Sequence, residues 1–386
     1  MTRMERIQSV NVARIAWCCA DHGITPGELA AEVDMAPNTM SRIMAGELGP
    51  SFQQLSKIAQ HFGRGVLFFL EAGPVDAGTV HTPQFRTLAR QKPELSARVK
   101  ALVERAERQR DVYLSLREDL DADAPPLFSP PDLTACEPKR AAALARQWLG
   151  LSTGQQSFDS YRAAIEARGI LVFRASGYHG KWQIAQESPI LGFALYDELC
   201  PVILVKKQHS DTQLTFTLMH ELGHLLLHKA SSIDDDGDIH GQQGAEREAN
   251  AFAGHLLVPE AALAAIDDAT RPQDVAELES WLKPVRKQLA VSTEVLLRRL
   301  TDEGRLPSGL YAAYRQWRAA QPVQDGAGGS REWRHREPKH LFGDRFVRTV
   351  LDALESRHIT LAKASDCLDS LKVKDIRELE RFYAGS

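Results

Sequence analysis

The sequence predicts a multidomain chain, mainly α with one α+β core, and three observations carry that reading. The chain has 386 residues, 43% of them hydrophobic, enough for about two to four cores rather than one. The first 70 residues read as short helices, whereas three β-runs, at 169–175, 191–197 and 201–207, are followed by strongly apolar helices, the pattern of helices gathered beyond a small sheet. Two stretches, 119–131 (DLDADAPPLFSPP) and 322–332 (PVQDGAGGSRE), have linker composition. The expected parts are an all-α head at 1–73, a basic helix and linker at 74–131, an α+β domain at 132–305, and a linker with a small helical C-terminal domain at 306–386.

Each element has a local cause. Val12, Ile15, Ala16 and Cys19 recur at helical spacing until Gly23 stops the helix. Thr25 as N-cap, Pro26 at the first helical position and Glu28 three residues on open a second helix that ends near Val33. Asp34 to Pro37 connect it to a third helix carrying Asn38 to Met44, stopped by Gly46, and Ser51 caps a fourth through Leu55, Ile58, Ala59 and Phe62. Residues 86–117 hold nine Arg or Lys against four acids, a local +5. They predict a long basic helix with a solvated charged face and an apolar stripe at Val99, Leu102, Val103 and Ala106. Helices are expected at 139–149, at 157–168 and from about 212. The final segment has Phe346, Val347, Val350, Leu351 and Leu354 at helical spacing, and 359–382 reads as a second small helical pair with no function assigned.

Composition excludes several classes. A net charge of −4 from 47 basic and 51 acidic residues rules out a histone-like polyelectrolyte. Cys18, Cys19, Cys136, Cys200 and Cys367 are scattered, with no CxxC, which argues for a reducing, cytoplasmic setting and against a thiolate zinc site. The N-terminal residues MTRMERIQSV lack the apolar core of a signal peptide, and no apolar run is long enough to span a bilayer; no membrane partner is expected.

Chemistry concentrates in Thr215–Lys229, TFTLMHELGHLLLHK, which contains His220-Glu221-Leu222-Gly223-His224. On a helix, histidines four residues apart fall about 40° from one another and can both offer a ring nitrogen to one Zn²⁺. Glu221 stands at the edge of that face, where a carboxylate can take a proton from water beside the metal. Such a motif arises by chance, so its setting decides; the surrounding Leu218, Met219, Leu222, Leu225 and Leu226 turn it toward the interior. A third ligand is needed. Ala245–Pro259, AEREANAFAGHLLVP, offers Glu246 and Glu248, which point about 200° apart on a helix. Glu246 shares a face with Asn250, which could hydrogen-bond a ligating histidine, so Glu246 is chosen and Glu248 is read as a surface carboxylate. His228 continues the histidine row as a supporting group, since a fourth protein ligand would close the site. Residues 232–238, SIDDDGD, imitate a calcium loop, but the twelfth position is Gln243 rather than Glu; this run is expected to be a solvated loop. His240 and His255 could assist as hydrogen-bond donors, and nothing in the sequence places them.

HELGHLLLH followed by EREANAFAGHLLVP resembles the ImmA/IrrE-type metallopeptidases, with HExxH on one helix and ExxxN, FA and LL-P on the next. Gly192–Asp197 and Pro201–Lys206 also resemble the strands that precede that motif. The likeness spans about residues 139–260. It implies a thermolysin-like (gluzincin) α+β metallopeptidase domain with His220, His224 and Glu246 as zinc ligands and Glu221 as general base, with Mn²⁺ or Fe²⁺ as other ions the donors suit. Members of that group are held to cleave DNA-binding repressors. The strand near Gly192–Asp197 would be the edge on which an extended substrate pairs.

GELAAEV-DMAP-NTMSRIMAG resembles the helix-turn-helix of XRE/Cro-type repressors across residues 1–70. The resemblance implies a third helix in the major groove of double-stranded DNA, with Asn38, Thr39 and Arg42 facing bases or phosphates and Ser41 or Ser51 near the backbone. Six basic and six acidic residues leave residues 1–70 with no net charge, so affinity would need the basic stretch that follows or a homodimer. The expected whole is a DNA-binding regulator with a zinc endopeptidase that cleaves a repressor or partner protein. The alternative is a repressor or antitoxin-like transcription factor, paired with a toxin or other partner, whose metal site is structural, sensory or inactive.

Overall fold

The computed structural model describes residues 6–76, 82, 85, 87–88, 91–92, 95–120, 128–152, 157–175, 181–208, 210–239, 241, 243–321 and 335–385. The linker residues 121–127 and 322–332, with Arg86, Arg90, Glu94 and His240, lie outside the described residues. The chain forms two compact units, Met1–Arg105 and Ala106–Ser386. It is mostly helical with one small mixed sheet, and among the described residues no helix is long and apolar enough to cross a membrane.

In the first unit α1 (Val12–Asp21), α2 (Pro26–Glu32), α3 (Pro37–Met44) and α4 (Phe52–Phe62) follow the capping signals closely. Thr25 with Glu28 and Ser51 with Gln54 form reciprocal capping boxes that satisfy backbone N–H groups the helix leaves over. Ile15, Cys18, Leu29, Met40, Ile43, Leu55, Ile58, Phe62 and Phe69 are all essentially inaccessible and form one core. Burial pushes the Cys18 thiol up to about 12 and Cys19 to about 11, so both pack as small apolar groups.

The basic stretch departs from expectation. Its helix, α5 (Ala97–Leu120), starts eleven residues later than 86, and Glu104, Glu107, Gln109 and Arg110 on it are buried. Arg64 Nη2 pairs with Glu104 Oε1 at 2.8 Å. The acids Glu104 and Glu107 and one cation, Arg110, are drawn inside, whereas Arg98 stays exposed and Lys100, Arg105, Arg108 and Arg117 are half-buried, so the expected cationic face is only partly solvated.

The second unit is built on β1 (Leu171–Ala175), β2 (Ile190–Leu195), β3 (Val202–Lys206) and β4 (Ser232–Asp235), in the order β1-β3-β2-β4. β1 and β3 run parallel, while β2 pairs antiparallel with both β3 and β4. Two expectations fall here. The run 232–238 is no solvated loop, because Ser232 to Asp234 are buried in β4. The segment Gly192–Asp197 offers no free edge, because β4 covers the side of β2 that β3 leaves. Helices α6 (Pro138–Leu149) and α7 (Phe158–Glu166) precede the sheet, and α8 (Asp211–Gly223) packs on β2 and β3. Behind it lie α9 (Gly244–Leu257) and α10 (Thr293–Asp302).

The C-terminal helices α11 (Glu337–Glu355), α12 (Leu361–Cys367) and α13 (Val373–Ala384) belong to this same unit rather than forming a small separate domain. Phe342 and Phe346 meet Phe173 of β1 with ring centroids 5.7 and 6.1 Å apart. The attachment is also polar. Buried Arg162 donates to the carbonyls of His340 at 2.8 Å and Leu341 at 3.2 Å, to that of Val172, and to Glu166 Oε1 at 2.9 Å. α11 can present those carbonyls because it breaks at Gly343, where φ is +84° and ψ 166°, and a Cβ at that position would overlap the Glu166 carboxylate. Gly343→Ala is therefore expected to destabilise the second unit by about 2–4 kcal/mol. Glu166→Ala, which strands the Arg162 charge, should cost about 3–5 kcal/mol. Urea unfolding followed by near-ultraviolet circular dichroism measures both, and unchanged midpoints would refute the clamp.

Candidate metal centre

Every residue of α8 from Leu214 to Gly223 is buried, as an all-round apolar helix requires, and this carries the motif into the core. Past Gly223 the helix widens into a π turn over His224–His228 and stops at Lys229, whose φ is 47°, a local irregularity typical of functional sites. His220 Nε2 and His224 Nε2 lie 3.1 Å apart. From the facing helix α9, Glu246 Oε2 comes within 3.2 Å of the first and 3.4 Å of the second. The structure thus brings His220, His224 and Glu246 to one point.

The supporting groups set the ring tautomers. Asn250 Nδ2 donates to the Asp238 and Gly241 carbonyls at 3.1 and 3.3 Å, which turns Asn250 Oδ1 toward His220 Nδ1 at 3.0 Å. An amide oxygen only accepts, so Nδ1 carries the proton and the Nε2 lone pair is free for a ligand. His228 bridges His224 Nδ1 at 3.1 Å and Glu248 Oε2 at 3.0 Å. Glu248, exposed at the far end of this relay, orients a histidine at second hand.

Glu221 is wholly buried; Oε2 accepts from Ser232 Oγ at 3.1 Å, and Oε1 has no hydrogen-bond partner. It sits so close to β2 that a Cβ at Gly192 would approach Oε1 to 2.8 Å, so glycine is required there. Burial first, and then the neighbouring Asp234 carboxylate, push Glu221 well above the usual carboxylate range. Burial would lower His220, but Asp234 and Glu246 together hold it up at about 9. Burial would raise Glu246, and His220 and His224 outweigh it and hold that carboxyl far below its ordinary value.

Sequence reasoning missed Asp234. Its residue is 1% exposed, and Oδ2 lies 3.6 Å from both histidine Nε2 atoms with no hydrogen-bond partner. The run Asp234-Asp235-Asp236 looks uniformly hydrophilic, and the only hint was Ile233, whose side chain needs a buried setting. His255, by contrast, is grouped with Glu260 and Glu303 and apart from this centre, with Nδ1 3.7 Å from Glu260 Oε1. Burial and then Arg299 lower His255 to about 4.

Three buried carboxylate oxygens without partners, facing two imidazole lone pairs, would be costly unless a cation compensates them. Tetrahedral Zn²⁺ with bonds of about 2.0–2.2 Å holds its donor atoms roughly 3.3–3.6 Å apart. The separations that involve the two histidine Nε2 atoms run from 3.1 to 3.6 Å, and all four donors lie within 4.8 Å of one another, so the residues fit a divalent metal.

Residues 165–301 match the family model of the IrrE N-terminal-like domain, a peptidase family. The second unit carries a metallopeptidase-type domain. Residues 14–64 match the Cro/C1-type helix-turn-helix DNA-binding domain, so the two resemblances seen in the sequence hold, as does their fusion in one chain. No curated protein matches the chain.

On α3 of that DNA-binding domain, Asn38, Ser41 and Arg42 are exposed and Thr39 is half-buried. Ser41 Oγ donates to the Pro37 carbonyl at 3.0 Å, and Arg42 Nε lies 3.7 Å from Glu47 Oε2. Ser51, assigned to the phosphate backbone, is buried as the cap of α4.

Metal content separates a ligand set from a chance cluster. The purified chain is expected to hold about one divalent ion, and His220→Ala or Glu246→Ala to lose it together with several degrees of Tm, whereas Glu248→Ala should keep it. Inductively coupled plasma mass spectrometry with thermal unfolding decides; equal metal in all four proteins would discard the site.

Proposed function

We propose that this chain is a cytoplasmic, DNA-binding regulator whose metallopeptidase-type domain is a gluzincin-like zinc endopeptidase acting on a repressor or other partner protein. The observation that carries the reading is the placement of buried Glu221 on the same helix turn as His220 and His224, with the half-buried Glu246 facing both histidines. Zn²⁺ held there would supply a Lewis acid that polarises the scissile carbonyl and makes water more acidic; Mn²⁺ or Fe²⁺ suits the same donors. Glu221 takes the proton from the attacking water and returns it to the leaving amine. Burial favours its protonated form and an adjacent cation its ionised form, so one carboxyl can serve both halves of the transfer. Ser232 Oγ fixes the carboxylate orientation. A polar cavity of about 500 Å³ bordered by Lys139, Arg247, Glu248 and Asn250 runs along α9 and gives room for substrate side chains.

Glu221→Gln should keep its metal and lose cleavage of a co-expressed partner by about 10²–10⁴-fold. Intact-mass spectrometry reads the products, and identical products from both proteins would end the peptidase reading. For the head, Arg42 is the strongest base-reading candidate on α3. With duplexes selected from a random pool, Arg42→Ala should weaken binding by about 5- to 150-fold; no selected duplex at low salt would count against a DNA reader. A head with no net charge is proposed to act as a homodimer, which doubles its phosphate contacts.

One observation favours the second reading, a regulator with a structural or sensory metal. Asp234 adds a fourth donor to the cluster, and closed four-ligand sites are the structural kind.

A further inference from the structure

Asp234 has no role in the chemistry above, yet it is held as tightly as the groups that do. Its carboxylate is buried, Oδ2 has no hydrogen-bond partner, and that atom stands 3.6 Å from each histidine Nε2. His220, His224, Asp234 and Glu246 each offer one atom, all within 4.8 Å of one another, which is the donor count of a complete tetrahedral shell. A catalytic site must keep one position free for water or the scissile carbonyl. With Asp234 engaged, none remains.

The four groups are not equally anchored. His220, His224 and Glu246 are carried by α8, its π-turn extension and α9, which pack directly on each other. Asp234 comes from a four-residue strand that, among the described residues, is paired on one side only, to β2, and whose register is broken between Ile190 and Gly192. Short edge strands are the least restrained parts of a sheet. The same strand supplies Ser232, whose hydroxyl donates to Glu221.

We propose that Asp234 is a fourth protein ligand to the metal and that β4 is a latch. Seated, it closes the coordination shell and ties Glu221 to Ser232. Withdrawn, it frees a coordination position and the general base in one movement. The coordination half stands on the geometry alone; the latch half rests on the endopeptidase reading.

Cobalt(II)-loaded full-length protein titrated with azide tests the two halves separately, because azide needs an open position and the visible spectrum reports its arrival. The wild-type spectrum should resist azide, while Asp234→Asn and Asp234→Ala should bind it with an apparent Kd lower by at least about tenfold and hold the metal itself at least about tenfold more weakly. A wild-type spectrum that shifts at the azide concentrations that shift the variants refutes the fourth ligand. Should neither variant fold, the wild-type titration still decides: resistance supports the ligand, and a shift at low millimolar azide removes it. For the latch, Asp234→Asn should cleave a partner protein faster than wild type, and the double variant with Glu221→Gln should not cleave at all. Azide-resistant wild type with no cleavage by any variant would keep the fourth ligand while removing both the latch and the peptidase reading. Cleavage by wild type no slower than by Asp234→Asn would remove the latch alone.

Discussion

Two buried imidazoles meet three carboxylates, two of them buried and Glu246 half-buried, and the rest of the second unit can be understood as what that meeting demands. Uncompensated, such a cluster is among the most expensive things a protein can bury. The fold answers with rigidity: α8 is buried along its length from Leu214, β3 is buried at every position, and Asn250 and His228 fix the ring orientations from behind. Gly192 is the clearest sign of how closely the parts are fitted, since the carboxylate of Glu221 occupies the space that any larger residue on β2 would fill. A divalent cation held there would offset this cost, so that metal binding would also stabilise the unit.

The β1 end of the sheet shows a second solution to buried charge. Arg162 gives up water for the carbonyls of His340, Leu341 and Val172 and the carboxylate of Glu166. Breaking α11 at Gly343 is what makes these carbonyls available, because a continuous helix would have consumed them internally. The C-terminal helices therefore act as a cover for β1. Their aromatic residues Phe342 and Phe346 close the core above Phe173, which gives a structural purpose to a segment whose sequence suggested no function.

What could be read in advance follows a physical rule: interactions within a turn or two of chain leave local marks, and those between distant segments do not. The caps at Thr25 and Ser51 and the spacing of His220, Glu221 and His224 are local, and Glu246 was separable from Glu248 because both lie on one helix with Asn250 as a reference. The position of β4 is not local. Its burial comes from pairing with β2, some forty residues earlier, and a run of aspartates gives no sign of that partner. For the same reason strand order along the chain suggests an edge at β2, which lies inside the sheet. In α5 the number of charges is a local property and their destination is not, because Glu104 finds Arg64 across the first unit.

The closed donor set also bears on how the two readings of the metal relate. A structural site and a hydrolytic site differ by one coordination position, and the fourth donor proposed for it comes from a four-residue edge strand. Asp234 and Ser232 sit two residues apart on β4, so by strand alternation they present to the same side, one toward the metal ligands and the other toward the base. Any movement that lifts one lifts the other, whereas a shift by one residue would turn both away. An edge strand is also the element to which another extended chain adds most readily. On the proposed endopeptidase reading, a partner polypeptide pairing with β4 would act on Asp234 and on Glu221 together.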